Sequence, residues 1–205
     1  QNVAALEAVQ PVDLSAGEIG IRIGVNWVPK EVYEQFLYEV IGTSAYAQDK
    51  IHVLYSPHSG EWNVTNKSFD GSNIKAVTTY GTKRINAYHI FEQTLNQKDV
   101  RIYDTKIDAN GNEVRVLNKK ETAIAQDRQE LIKAKFAEWV WKDIDRRERL
   151  CGIYNETFNA IRPREYDGQH IRFSGMNPEI TLRKHQINAI AHIMYGGNTL
   201  LAHEV

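Results

Sequence analysis

The dipeptide Asn110-Gly111 lies between two stretches rich in β-branched and apolar residues, Val100–Asp104 and Glu113–Leu117. Asn-Gly accepts the positive φ angles of a tight hairpin turn at little steric cost, so this is the strongest antiparallel signal in the chain. A second hairpin is predicted at Pro57-His58-Ser59-Gly60, with Lys50–Tyr55 and Glu61–Val64 as its strands. Two further short strands are read at Ile19–Gly24 and Val77–Tyr80, and Asn66–Asn73 reads as loop.

Apolar residues at helical spacing predict helices over about Lys30–Ile41 (Val32, Phe36, Leu37, Val40) and from Asn118 to about Trp141 (Ile124, Leu131, Ile132, Phe136, Val140). Others are read at about Asn2–Val9, Arg146–Ile161 and Leu182–Tyr195, and Thr82 is taken as the cap of one reaching about Leu95. Small antiparallel hairpins with separate blocks of several helices define an α+β fold class.

The region 162–181 is rich in Gly, Pro, Arg and Asp and reads as an extended connector, which separates an accessory region 1–161 from a final segment 182–205. Residue 1 is Gln and the last residues, Thr199–Val205, read as an apolar strand with no closing turn, so the chain is expected to be a piece of a larger protein. No apolar run reaches the roughly 18 residues of a membrane span, and the first residues lack a basic-then-apolar signal pattern. With Cys151 as its single cysteine, the chain has no internal disulfide, which fits a reducing, cytoplasmic setting.

The formal net charge of −1 hides an asymmetry, with five Lys/Arg against nine Asp/Glu in residues 1–80 and twenty against seventeen thereafter. Basic clusters occur at Lys83-Arg84, Lys119-Lys120, Arg146-Arg147 with Arg149, and Arg162 with Arg164. Of these, Thr82-Lys83-Arg84 has the composition of a DNA-backbone contact: a hydroxyl and two cations at an expected helix N-terminus suit a phosphate. Its bland counterpart is a capped helix whose Arg pairs with a nearby carboxylate. Trp27 and Trp62, near turns, are candidate stacking platforms for bases, whereas Trp139 lies with Phe136 and Val140 at core spacing.

A metal site is not expected. His185 and His192 are two turns apart on one helix, and His52 and His58 have no Cys or carboxylate at ligand spacing. Nucleophile–base pairs and convergent carboxylates are also not apparent, so no catalytic residue is assigned.

In the final segment, Leu182-Arg183-Lys184-His185-Gln186 opens a helix, and Gly196-Gly197 then feeds Asn198-Thr199-Leu200-Leu201-Ala202-His203-Glu204-Val205. This order resembles the entry to the motor of Swi/Snf-type superfamily-two helicases: Leu-Arg-x-Tyr-Gln, Gly-Gly, then an apolar strand into Ala-Asp-Glu-Met-Gly-x-Gly-Lys-Thr. His185 and His203 depart from the family's Tyr and Asp. The resemblance implies that 182–205 is the first helix and strand of a truncated α/β helicase ATP-binding domain, cut before its phosphate-binding loop. It further implies that Gln186, with Arg183, faces the adenine of ATP, while the residues for magnesium and the phosphates lie beyond Val205.

A wider resemblance is carried by Asn2-Val3-Ala4-Ala5-Leu6-Glu7-Ala8-Val9-Gln10-Pro11, Tyr80-Gly81-Thr82-Lys83-Arg84-Ile85-Asn86-Ala87, Arg162-Pro163-Arg164-Glu165-Tyr166-Asp167-Gly168 and Gly175-Met176-Asn177-Pro178-Glu179. These are similar to very large antirestriction-like proteins of bacterial conjugative elements and phages, which join an adenine-specific DNA methyltransferase to a Swi/Snf-like helicase. The methyltransferase's Asn-Pro-Pro-aromatic motif is absent from this sequence. The resemblance implies a catalytically silent accessory region that supports an ATP-driven motor and touches DNA. The alternative is a structural connector or protein-interaction module between the methyltransferase and helicase domains.

Overall fold

Pro29, with its φ preset near the helical value, precedes α1 (Lys30–Phe36). The same helix continues into one wide turn, Leu37–Ile41, which Gly42 ends at φ +75. In the computed structural model, residue 3 and residues 9–108, 111–161, 165–177 and 179–201 are described. The chain divides into two units, Val12–Ala160 and the combination of Gln1–Pro11 with Ile161–Val205.

In the larger unit, α2 (Ala45–Gln48) leads to β1 (Val53–Ser56) and β2 (Glu61–Val64), paired antiparallel from Val53↔Val64 to Ser56↔Glu61. Helix α3 (Ala87–Leu95) follows, and then β3 (Tyr103–Ile107) and β4 (Glu113–Leu117) form a second antiparallel hairpin. Two long helices, α4 (Lys119–Val140) and α5 (Ile144–Phe158), complete the unit. The fold is α+β, as the hairpin and helix signals require. The tight turn expected at Asn110 lies partly outside the described residues, but the strands it joins are paired from Ile107↔Glu113 inward.

The core is aromatic. Phe36 stacks on Phe91 at 5.6 Å and Tyr33 on Phe136 at 5.5 Å, and the edge of Trp139 meets Phe36 at 5.3 Å. These rings come from α1, α3 and α4, and Trp62 of β2 closes on Tyr33 at 5.0 Å. Such pairs add to the area term that drives burial.

Helix side chains close the edges of the first hairpin. Glu34 of α1 accepts from the Val53 N–H (2.8 Å), Glu92 of α3 from the Val64 N–H (2.7 Å), and Asn96 accepts from and donates to the Trp62 backbone (both 2.8 Å). Each pairing satisfies an edge group that a two-stranded sheet otherwise leaves open. The same device holds the extended segment 98–102 along α4. Thr122 bonds the backbone of Ile102 (N–H to hydroxyl, 2.9 Å), Gln126 donates to the Val100 carbonyl (3.2 Å), and Gln129 bonds both the Val100 N–H (3.2 Å) and the Lys98 carbonyl (2.9 Å). By contrast, every residue of β3 and β4 except Asp104 is exposed.

Three expectations need correction. Ile19–Gly24 forms no strand; instead the Tyr33 hydroxyl accepts from the Gly24 N–H and donates to the Val25 carbonyl, both at 3.0 Å. Val77–Tyr80 is likewise no strand but the greater part of a wide helical turn, Lys75–Thr79. There Asn73 accepts from the Ala76 N–H (3.2 Å), the Thr78 hydroxyl donates to the Ile74 carbonyl (2.6 Å), and buried Ala76 fixes the turn against the core. Tertiary packing overrides the β preference of Val77, Thr78 and Thr79. Third, α3 begins at Ala87, capped by Asn86 rather than Thr82.

In the other unit, α6 (Lys184–Gly196) packs beneath the preceding loop. Gly168 donates to the Asn188 side chain at 3.2 Å, and the Tyr166 ring stacks on His192 at 4.3 Å. The strand expected over 199–205 is not formed at 199–201, and 202–205 lie outside the described residues. So do most of the Asn2–Val9 helix and the Arg162–Arg164 cluster. No helix among the described residues is long and apolar enough to cross a membrane.

Candidate functional site

Gly81 begins the loop that carries the sequence-predicted Thr82, Lys83 and Arg84. A Cβ at this position would lie 2.1 Å from the Ala76 carbonyl oxygen, so only glycine lets the chain pass the wide turn here. Thr82 then folds the next residues back on themselves: its hydroxyl accepts from the N–H groups of Arg84 (3.1 Å) and Ile85 (3.2 Å). Thr82 is therefore the pivot of a turn that delivers the chain to Asn86, whose side chain accepts from the His89 N–H at 3.1 Å to start α3.

This turn forms one wall of an open groove of about 490 Å³. Ser68, Thr82, Lys83, Arg84, Asn86 and His89 supply its polar lining. The structure thus brings all three predicted residues to one cavity and adds three polar groups that sequence reading did not assign. Two residues after Ser68 in the chain, Asp70 is a buried carboxylate with 1% exposure. Asp70 accepts from the hydroxyls of Tyr88 (2.7 Å) and Tyr46 (3.0 Å), from Asn73 (3.0 Å) and from the Ser44 N–H (3.1 Å). Burial by itself would raise its pKa, but the bonds from Tyr88, Ser44 and Asn73 outweigh burial and bring the carboxyl down to about 2. The network ties the loop bearing Ser68 to α3 and to the end of the first helical block.

The groove is electropositive but partly compensated. Arg84 forms an ion pair with Asp104 at 2.9 Å and donates to the Tyr103 carbonyl at 3.0 Å. A hydrogen bond from Asn118, and then the bond and charge of Arg84, hold the Asp104 carboxyl below its ordinary range. Lys67 pairs with Glu92, while Lys83 has no carboxylate partner among the described residues. His89 donates from Nδ1 to Asn86 at 2.9 Å; burial, and secondarily the charge of Lys67, lower its pKa and favour the neutral ring. Chemically the site offers hydroxyls and two cations to an anion, and among the described residues it has no nucleophile–base pair; the Asn86 amide already donates to the Lys67 carbonyl at 2.7 Å.

Gln186 and Arg183 stand together at the start of α6. The Arg183 N–H donates to Gln186 Oε1 at 2.8 Å, so the carboxamide oxygen serves the helix cap. Its Nε2 donates to no described residue, which leaves half of the bidentate adenine pattern available. Among the described residues no group of three His, Cys, Asp or Glu side chains is arranged to hold a metal ion.

Trp62 is not an exposed platform: it is 5% exposed, and its Nε1 donates to the Gly24 carbonyl at 3.1 Å. Trp27 is half-buried, with its ring against the edge of Tyr154 at 5.2 Å. Trp139 is in the core, as its spacing indicates.

No curated protein and no solved structure matches the chain. One family model, described as a domain of unknown function (DUF8437), matches residues 22–160. That span takes in both hairpins and α1 through α5 and contains the whole groove, and on this match the chain belongs to the DUF8437 family.

Proposed function

We propose that this chain is a non-catalytic accessory region of a DNA helicase/methyltransferase-like protein, supporting an ATP-driven motor and contacting the DNA backbone. The observation that carries the contact is the convergence of Thr82, Lys83 and Arg84 with Ser68, Asn86 and His89 on one groove. Phosphate oxygens accept from hydroxyls, amides and cations without regard to base sequence, so the contact positions DNA and does not read it. The link to a motor rests on the resemblance of Leu182–Gln186 and Gly196-Gly197 to a helicase entry. In this reading ATP and magnesium belong to the motor. This chain contributes Gln186, and beside it Arg183, toward the adenine edge.

The Arg84–Asp104 pair favours a second reading, in which the basic turn is structural and the region is a connector between methyltransferase and helicase domains. An anisotropy titration with a labelled duplex separates the two. Contact with two or three phosphates makes affinity fall roughly 10- to 40-fold between about 50 and 200 mM salt. The double variant Lys83→Glu, Arg84→Glu is expected to abolish that binding. Unchanged affinity in the variant, with an unchanged melting temperature, would leave the connector reading in place.

A further inference from the structure

A second cavity, of about 470 Å³, opens where the 24–27 loop, the first hairpin and the C-terminal end of α3 meet. Its aromatic lining is Trp27, Tyr55 and Trp62, and Asn26 and Gln97 add amide groups. We propose that this cavity takes an unpaired nucleobase of a single DNA strand, stacked on the half-buried rings of Trp27 and Tyr55, with buried Trp62 as the support behind them. The inference rests on the DNA-contact reading above.

The walls are built rather than incidental. Trp62 is fixed by its bond to the Gly24 carbonyl at 3.1 Å and packs against Tyr55 at 4.6 Å. Trp27 is braced by the edges of Tyr154 at 5.2 Å and Phe158 at 6.4 Å. Two backbone conformations that side chains disfavour meet at this cavity. Gly24 has φ +90, and a Cβ there would lie 2.0 Å from the Leu95 carbonyl oxygen. Gln97 adopts φ +56, although it is not glycine, and is held by a bond from its Nε2 to the Ile23 carbonyl. Glycine takes its conformation at little cost, but that of Gln97 persists only where surrounding structure enforces it, and such residues concentrate at binding sites.

The chemistry selects the ligand. Glu61 and Lys98 pair with each other at 3.1 Å on the rim, so the cavity presents no net charge to attract an ion. Aromatic faces accept any base. The Asn26 amide and the Gln97 Oε1 bond no described residue and so offer a donor and acceptors to the polar edge of a ring. Position supports the same ligand. The phosphate groove lies at the first residues of α3 and this cavity at its last, from Asn86 to Asn96. That is about 15 Å at 1.5 Å per residue, or roughly four to five nucleotides at 3.4 Å each. One strand is long enough to leave phosphates at Lys83 and Arg84 and place a base against Trp27.

The test uses the full chain with three labelled ligands: a blunt duplex, the same duplex with a single-stranded extension, and that extension made abasic. The extension is expected to tighten binding about tenfold or more, in the range of stacking on one aromatic side chain. The abasic extension removes the gain in the wild-type protein, and Trp27→Ala removes it for the natural extension. Equal affinity for natural and abasic extensions overturns the proposal, whatever the variant does, and so does a gain that survives Trp27→Ala. The backbone reading fails separately: it falls if Lys83→Glu with Arg84→Glu changes none of the three affinities while the gain persists. Binding of none of the three ligands overturns both.

Discussion

The guanidinium of Arg146 lies 3.6 Å from the centre of the Trp139 ring and donates to the carbonyl of that same residue at 2.9 Å. Its Nε donates to Val140 at 3.0 Å, so one side chain from the start of α5 caps the last turn of α4. The arrangement joins a cation to the negative end of a helix and to an aromatic face. Arg146 is only 7% exposed. Arg146→Ala is therefore expected to cost about 2–4 kcal/mol, because two carbonyls lose their donor in a buried place. Arg146→Lys should recover less than half, since an ammonium cannot reproduce the planar fork. Urea unfolding monitored by tryptophan fluorescence measures both.

Asp70 predicts a pH dependence. Unfolded, its carboxyl titrates near 3.8; folded, at about 2. The folded value is the lower one, so the stabilisation is complete above the unfolded value and is lost as pH falls through the folded one. It amounts to about 2 kcal/mol. Chemical denaturation at intervals from about pH 5 to pH 2 should show this loss, and Asp70→Asn should flatten it.

Gln129 holds the 98–102 segment from both sides of its carboxamide. Gln129→Leu should cost about 2–3 kcal/mol through unpaired backbone groups. Gln129→Glu keeps the acceptor for Val100 but sets a buried carboxylate oxygen against the Lys98 carbonyl, so at neutral pH a loss at least as large is expected. Hydrogen exchange at Val100 and Ile102 would localise the damage.

Asp104 competes with phosphate for Arg84. If the basic turn contacts DNA, Asp104→Asn is expected to tighten duplex binding roughly two- to fivefold at low salt, because a competing charge is gone. If Arg84 is only structural, affinity stays constant. The anisotropy titration described above reads the difference directly.

The hairpins and most helices were legible because their signals are local. Glu61–Val64 and Glu113–Leu117 are strands with the bounds that their turns and alternation indicate, whereas their partners, expected from Lys50 and Val100, begin three residues later at Val53 and Tyr103. Asn118 caps α4 through the Glu121 N–H at 3.0 Å. What failed to read locally is decided at a distance. Ile21 and Ile23 alternate as a strand would, but the Tyr33 hydroxyl occupies the backbone beside them. Trp62 sits in an exposed-looking hairpin, yet Tyr33 and the Gly24 carbonyl bury it. For the groove, Thr82, Lys83 and Arg84 are legible from residue type alone, although the expected helix cap is misplaced by four residues, at Thr82 rather than Asn86. Ser68 and His89 carry no such mark; only the fold brings them in. Thr122, Gln126 and Gln129 stand at helical spacing on α4, but nothing local says that they grip the 98–102 segment.

That grip has a consequence of its own. A strand laid beside another strand is secured by groups that every residue carries, and side-chain changes leave those groups in place. Along α4 the 98–102 segment has one backbone bond, from the Asn118 N–H to the Ile102 carbonyl (2.9 Å), and the rest of its hold comes from three particular side chains. That hold is thus written largely in three codons, and point mutation can change it without touching the aromatic core.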